Sequence, residues 1–349
     1  MTTRRHFLSA VSVTAATAAL PRMANAAGGR KLALYANTGR TLMQFDVDVE
    51  NATLTQRGSV STPGGIVQYC WPHRNRQYLY AASSSNTAGA TDHSVTAYKI
   101  DSATGALTQV GESIRIPYRP IHMSLDRESR HILVAFNIPS SLKIYRINPD
   151  FSPGAEVPQT AAKDCGIYAH QILATPDGKH VVLVARGNEG TPKTPEDPGA
   201  LYVWDYRDGV LSNQYKIAPN GGHGYGPRHL DFHPTKPWMY VSIETQNQMH
   251  MHRMQGGKPL PEVVYNKTTL LEPNNIRSRQ AASTLHVHPN GRFLYGANRS
   301  QDLVDFNGRR VYKGGENSIV VYSLNPQTGE PTVIQHIETQ KIHPRTFHI

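Results

Sequence analysis

Apolar and polar residues alternate with a period of two along much of this chain. Examples are Ser94-Val95-Thr96-Ala97-Tyr98-Lys99-Ile100, Ser141-Leu142-Lys143-Ile144-Tyr145-Arg146-Ile147 and Ser318-Ile319-Val320-Val321-Tyr322-Ser323-Leu324. Successive side chains of a strand point to opposite faces, so each run predicts a half-buried β-strand. Turn-forming residues follow, as in Asp101-Ser102-Ala103-Thr104-Gly105 and Asn325-Pro326-Gln327-Thr328-Gly329. Helical patterns are few. The strands recur as a unit: a short strand, a tight turn, then an apolar return such as Leu294-Tyr295-Gly296-Ala297. The turn is clearest at Pro176-Asp177-Gly178-Lys179, Pro234-Thr235-Lys236-Pro237 and Pro289-Asn290-Gly291-Arg292, and weaker at His73-Arg74-Asn75-Arg76 and Asp126-Arg127-Glu128-Ser129. A sixth copy opens at Leu32-Ala33-Leu34-Tyr35 without its leading strand.

The units run 31–62, 63–117, 118–167, 168–222, 223–278 and 279–342, each read as inner strand, turn, second strand, loop, third strand, turn and outer strand. Several strands per repeat of roughly 45–60 residues predict an all-β chain folded as a β-propeller. The segment His343-Pro344-Arg345-Thr346-Phe347-His348-Ile349 reads as the first strand of a seventh unit, so the last blade is expected to be truncated. Two loops between second and third strands are long, Gly187 to Gly199 and Ser300 to Gly315. Each follows an arginine at a strand end and is placed to border a pocket.

The N-terminus changes the picture. Thr3-Arg4-Arg5-His6-Phe7-Leu8 precedes a weakly apolar stretch from Ser9 to Leu20 and an Ala24-Asn25-Ala26 cleavage site. Paired arginines with these features predict a twin-arginine signal over residues 1–26, leaving 27–349 as one propeller domain. The apolar stretch is too short for a membrane span. The expected location is the periplasm, with the twin-arginine export machinery as a transient partner. The formal charge of +10 falls to +7 once Arg4, Arg5 and Arg22 are removed with the signal. No lysine-rich block or aromatic–basic alternation accompanies this excess, so nucleic acid is excluded and small anionic ligands are favoured.

In a four-stranded blade, the start of the inner strand and the end of the second share one rim. Six residues before Pro234 is Arg228 and ten after is Glu244; the same offsets from Pro176 give His170 and Arg186, and from Pro289 give Ser283 and Arg299. The Pro-Arg pair aligns Arg345 with Arg228. One rim thus collects His170, Arg186, Arg228, Glu244, Arg299 and Arg345. A histidine and a carboxylate supply acid–base chemistry near neutral pH, while arginines clamp carboxylate or phosphate and stabilise an oxyanion.

Gly226-Pro227-Arg228-His229-Leu230-Asp231-Phe232-His233-Pro234 with Tyr240-Val241 and Glu244, and Pro289-Asn290-Gly291-Arg292-Phe293-Leu294-Tyr295-Gly296-Ala297-Asn298-Arg299, resemble the signature of the seven-bladed lactonase family. That family includes the propeller-type 6-phosphogluconolactonases and the fungal 3-carboxy-cis,cis-muconate lactonising enzymes. Ala169-His170-Gln171 departs from the Pro-His-Ser often found there, and Ile243-Glu244 from Asn-Glu. The resemblance implies catalytic roles for His170, Arg228, Glu244 and Arg299.

The expected function is an exported lactonase acting on a sugar-derived or carboxylated lactone. His170 would be general base, Glu244 an orienting group or acid, and Arg228 the oxyanion partner. Arg299, with Arg186 and Arg345, would hold the substrate's anionic group. Muconate cyclisation would use the same residues. Export argues against 6-phosphogluconolactone, because phosphorylated sugars are chiefly cytosolic. The competing expectation is a non-catalytic propeller binding a metabolite or protein partner.

No cofactor and no catalytic metal are expected. His250 and His252 have a spacing a metal could use but read as a solvent-facing outer strand. His229 is expected to point away from Arg228, and His233 to sit at the turn on the opposite rim. Trp71, Trp204 and Trp238 read as blade-packing residues. Cys70 and Cys165 read as idle thiols, although an oxidising compartment would permit a disulfide.

Overall fold

A computed structural model describes residues 32–85, 91–300 and 302–349. The export signal read at residues 1–26 lies outside the described residues. Every strand pairing is antiparallel and the only helix described is a turn of 3-10 helix at Pro219–Gly222. The sheets follow the sequence units.

Blade 1 has three strands among the described residues, Leu32–Thr38, Thr41–Asp48 and Thr53–Ser61. Blades 2, 3, 4 and 6 have four each. Their inner strands are Ile66–Pro72, Pro120–Leu125, Ala169–Ala174 and Ala281–Val287. Blade 5 begins with Pro227–Phe232 and Trp238–Ile243, and both Lys258–Pro259 and Tyr265–Thr268 pair with its third strand, Gln248–Gln255.

The core lies between blades. Leu133, Ile144, Leu183 and Trp204 pack blade 3 on blade 4; Val182, Val203, Leu230 and Met239 pack blade 4 on blade 5; Trp238, Tyr240, Leu294 and Tyr322 pack blade 5 on blade 6. Trp71 packs between these layers from blade 2. Second strands such as His131–Asn137 and His180–Ala185 are buried at every position, which is why they read as apolar runs without alternation. Blades 3 and 4 are further joined by a buried polar triad: the Tyr206 hydroxyl donates to Asp126 Oδ2 at 2.9 Å, and His131 Nδ1 lies 2.8 Å from the same oxygen.

The recurrent turn closes in one way in blades 2, 3, 4 and 6, whereas in blade 5 the Lys236 amide donates to the His233 ring instead. In those four blades the amide four residues into the turn donates to the first carbonyl: Arg76 to His73, Ser129 to Asp126, Gly178 to Thr175 and Gly291 to His288. Each of those donors has positive φ, between 53° and 69°. Glycine meets this demand without steric cost, whereas Arg76 and Ser129 meet it under strain, so these two copies are faint in sequence.

Each of the inner strands of blades 2 to 6 carries a register shift at the same depth. The shift falls between Val67 and Tyr69, Pro120 and His122, Ala169 and Gln171, Pro227 and His229, and Ala282 and Leu285. Two residues then oppose one on the second strand, and the extra residue is re-aimed. The extra residues in the middle blades are Gln68, Ile121, His170 and Arg228.

The terminal segment runs alongside the inner strand of blade 6. The Arg345 carbonyl accepts the hydroxyls of Ser283 (2.9 Å) and Thr284 (2.8 Å), and Phe347 packs edge-on to His286. It forms no regular strand, because none of the described residues ladders with it.

Several expectations are corrected. His250 and His252 do not face solvent: they are 8% and 0% exposed, because a neighbouring strand covers theirs on the outer side. His252 Nδ1 donates to the Leu260 carbonyl at 3.0 Å. The cysteines need no correction, since both are free thiols, as read from the sequence. The Ser300 to Gly315 loop forms its own hairpin, Leu303–Phe306 with Arg309–Tyr312.

Candidate active site

The rim residues converge on Glu244. It directly follows the second strand of blade 5, where its amide donates to Gly226 O at 2.7 Å and its carbonyl accepts Ala282 N of blade 6 at 2.9 Å. Its carboxylate is 6% exposed and receives Arg299 Nη2 on Oε1. Arg228 Nε lies 3.6 Å and Arg186 Nη1 3.7 Å from Oε2. These are ion-pair distances beyond good hydrogen-bond length. Glu244 thus gathers guanidiniums from blades 4, 5 and 6.

His170 completes the group on the bulge of blade 4. It is 5% exposed, and its pKa is held well below the usual histidine value, first by burial and then by Arg228, Arg186, Arg299 and Arg345. Burial also pulls the Arg228 pKa down, with Arg299 adding and Glu244 opposing. Arg345 projects its charge onto His170, Arg228 and Arg299 from the terminal segment.

Positive charge therefore far exceeds negative in the channel. Arg228 Nε and Nη1, Arg299 Nε and His170 Nδ1 are buried without a hydrogen-bond partner, as is Glu244 Oε2. The guanidinium nitrogens among them are charged donors whose geometry suits an anionic oxygen.

Strand alternation misjudged His229. The bulge at Arg228 resets the pleat, so His229 turns toward the channel and its ring lies 5.2 Å from that of His170. His229 belongs to a layer directly below the bulges, with Tyr69, His122 and Gln171. The His122 ring lies 4.0 Å from that of Tyr69, tilted by 45°, and 6.0 Å from that of His229, and Gln171 Nε2 reaches His229 Nδ1 at 3.4 Å. Burial first, then neighbouring charges, pulls His122 down to about 3 and His229 well below its usual value. These layer residues sit one position after each bulge, five before Pro176 or Pro234, a signal present in the repeat offsets.

Arg119 and His343 are further additions. Arg119 Nη2 donates to Gln68 Oε1 at 2.7 Å, and Arg345 depresses its pKa after burial does. His343 is lowered to about 4 by burial and then by Arg299, Arg345 and Arg228. His233 lies at the hairpin turn, donating from Nε2 to Gly291 O at 2.9 Å. Among the described residues no group of three or more His, Cys, Asp or Glu side chains has the geometry to hold a metal ion.

Fold and site together define a β-propeller with a buried arginine-rich cluster where the inner and second strands of blades 4, 5 and 6 meet. The chain belongs to the lactonase, 7-bladed beta-propeller family, whose model matches residues 31–349. It is 25% identical over 315 residues to the 6-phosphogluconolactonase of Bacillus subtilis, covering 88% of this chain and 80% of the relative. Two solved structures share the fold. One, from Bacteroides uniformis, aligns with a TM-score of 0.70 at 18% identity, covering 92% of this chain and 86% of the other. The second is a periplasmic gluconolactonase from Pseudomonas aeruginosa, with a TM-score of 0.69 at 18% identity over 90% of this chain and 85% of the other.

Proposed function

We propose that this protein is an exported lactonase hydrolysing a sugar-derived or carboxylated lactone that bears a negative charge. The observation that carries the reading is the gathering of Arg186, Arg228 and Arg299 around the single carboxylate of Glu244, with His170 beside them. The name of the Bacillus subtilis relative supports lactone chemistry. The Arg4-Arg5 motif supports export.

His170 takes a proton from water, and the hydroxide oxygen bonds to the lactone carbonyl carbon. Arg228 stabilises the oxygen that becomes negative. The ring C–O bond then breaks, and the leaving alkoxide takes the proton back from the His170 imidazolium. The surrounding guanidiniums disfavour that imidazolium, so it gives up its proton readily in the second half. They would also weaken His170 as a base, and a bound anion relieves this by offsetting their charge. Glu244, engaged by three guanidiniums, acts as their anchor and orients them. Arg299, Arg186 and Arg345 hold the substrate's carboxylate or phosphate.

The test is hydrolysis of a panel of neutral and anionic lactones by the mature protein and by Arg228→Ala, Glu244→Ala and His170→Ala. Loss of turnover in the variants supports the reading. Equal turnover by parent and variants would overturn the site assignment, and binding without turnover of any lactone would favour a non-catalytic role.

A further inference from the structure

Tyr168 lies just before the inner strand of blade 4, two residues ahead of the bulged His170. Its φ is 59°, a left-handed backbone that a bulky side chain rarely adopts. The residues at the same place in blades 2, 3 and 5 are Ile66, Arg119 and Gly226, and none has positive φ. Strain at a bulky residue persists only where surrounding structure over-determines it, and such places cluster at ligand clamps.

The ring itself has two neighbours from the site. The Arg186 guanidinium carbon lies 4.0 Å above its centroid, and the His170 ring stacks against it at 6.5 Å with 28° between planes. Arg186 is tied at its other edge: Nε donates to Gly187 O and Nη2 to Asn188 Oδ1, both at 3.1 Å. Asn188 is in turn fixed by Asp197, its Nδ2 donating to Oδ2 at 3.0 Å. These contacts keep Arg186 Nη1 at 3.7 Å from Glu244, short of a closed hydrogen-bonded pair. A guanidinium held on an aromatic face, and held off the one carboxylate it could collapse onto, stays free to receive an incoming anion.

We infer that Tyr168 is a positioning residue that sets the preference for anionic over neutral lactones by holding Arg186 on its ring face. The inference rests on the lactonase reading and deepens it. The Tyr168 side chain touches no reacting atom; it acts through Arg186, and its backbone strain is the cost of bringing the ring under both partners.

The experiment measures kcat/KM of the mature protein for glucono-δ-lactone and for its 6-phosphate, and reads the ratio. Tyr168→Leu is expected to lower the ratio about tenfold, the size of one partly desolvated cation–π contact, mainly through KM for the phosphorylated compound. Tyr168→Phe keeps the ring and should restore the parent ratio. Tyr168→Gly removes the ring and the φ strain together, so its melting temperature should exceed that of Tyr168→Leu while the ratio falls as for Leu. Arg186→Ala should lower the ratio by itself, and combining it with Tyr168→Leu should add nothing. If Arg186→Ala lowers the ratio but Tyr168→Leu and Tyr168→Gly do not, the inference is overturned while the anion clamp stands. If Arg186→Ala has no effect, or the parent hydrolyses neither lactone, the underlying reading fails and this inference with it.

Discussion

Glu244 and Arg299 are 55 residues apart in the chain, yet they form a buried ion pair across two adjacent blades. The pair closes because Arg299 ends the second strand of blade 6 and Glu244 directly follows that of blade 5, and successive second strands finish on the same rim. Arg186 and Arg228 are drawn to the same carboxylate. Removing Glu244 therefore leaves several like charges in a buried site.

Glu244→Ala is expected to destabilise the protein by about 3–5 kcal/mol, the cost of breaking a buried pair from one side. Urea unfolding followed by tryptophan fluorescence measures this. A loss within experimental error would mean that water screens the guanidiniums and that the site is more open than its burial indicates.

His170→Gln should leave the melting temperature near that of the parent and lower kcat about 10²- to 10⁴-fold, the range for loss of one general acid–base group. Steady-state kinetics on the best lactone of the panel decide it. An unchanged kcat would remove His170 from the proton transfers.

Acid should weaken the fold before any carboxylate titrates. His122, His170 and His229 are buried and neutral, with pKa values lowered on folding, in the case of His122 to about 3. An unfolded histidine titrates near 6.5, so the stability these residues contribute is complete above about pH 6.5. It is lost as pH falls toward their folded values, at up to about 1.4 kcal/mol per pH unit for each proton. Unfolding free energies at pH 7, 6 and 5 should decline accordingly, and His122→Asn should make the decline shallower by about one proton. A flat profile over this range would contradict the burial of these rings.

Tyr206→Phe removes one hydroxyl from the Asp126–His131 triad and leaves a buried carboxylate oxygen short of a donor. A loss of about 1–3 kcal/mol is expected, with lactone turnover at 25 °C unaffected, since the triad lies at the turns of blades 3 and 4. Calorimetry reads the first quantity and a rate assay the second.

Much of this was legible in the chain. The turn offsets brought His170, Arg186, Arg228, Glu244 and Arg299 together before any side chain was placed, because a propeller repeats the depth of each residue from blade to blade. Strand alternation failed at His229, since it holds only on an unbroken ladder and each inner strand is broken by a bulge next to the site. His250 and His252 escape the pattern for another reason: polar residues on a third strand read as a wet face, while a further strand pairs with theirs and both are buried. Arg119 and Tyr168 share one repeat position, two before each bulge, but Ile66 and Gly226 fill it in blades 2 and 5, so no common chemistry marked it; His343 lies beyond the turn-anchored units.

The repeated bulge also separates what the propeller must keep from what it can vary. Each inner strand surrenders one residue from its ladder at the same depth, so that residue is answerable to the channel and not to sheet pairing. Blades 4 and 5 fill the position with His170 and Arg228, whereas blades 2 and 3 fill it with Gln68 and Ile121. Of those two, Ile121 also packs on the core between blades 3 and 4, whereas Gln68 answers only to polar partners, Arg119 Nη2 among them, so blade 2 is where the repeat leaves its chemistry freest to change.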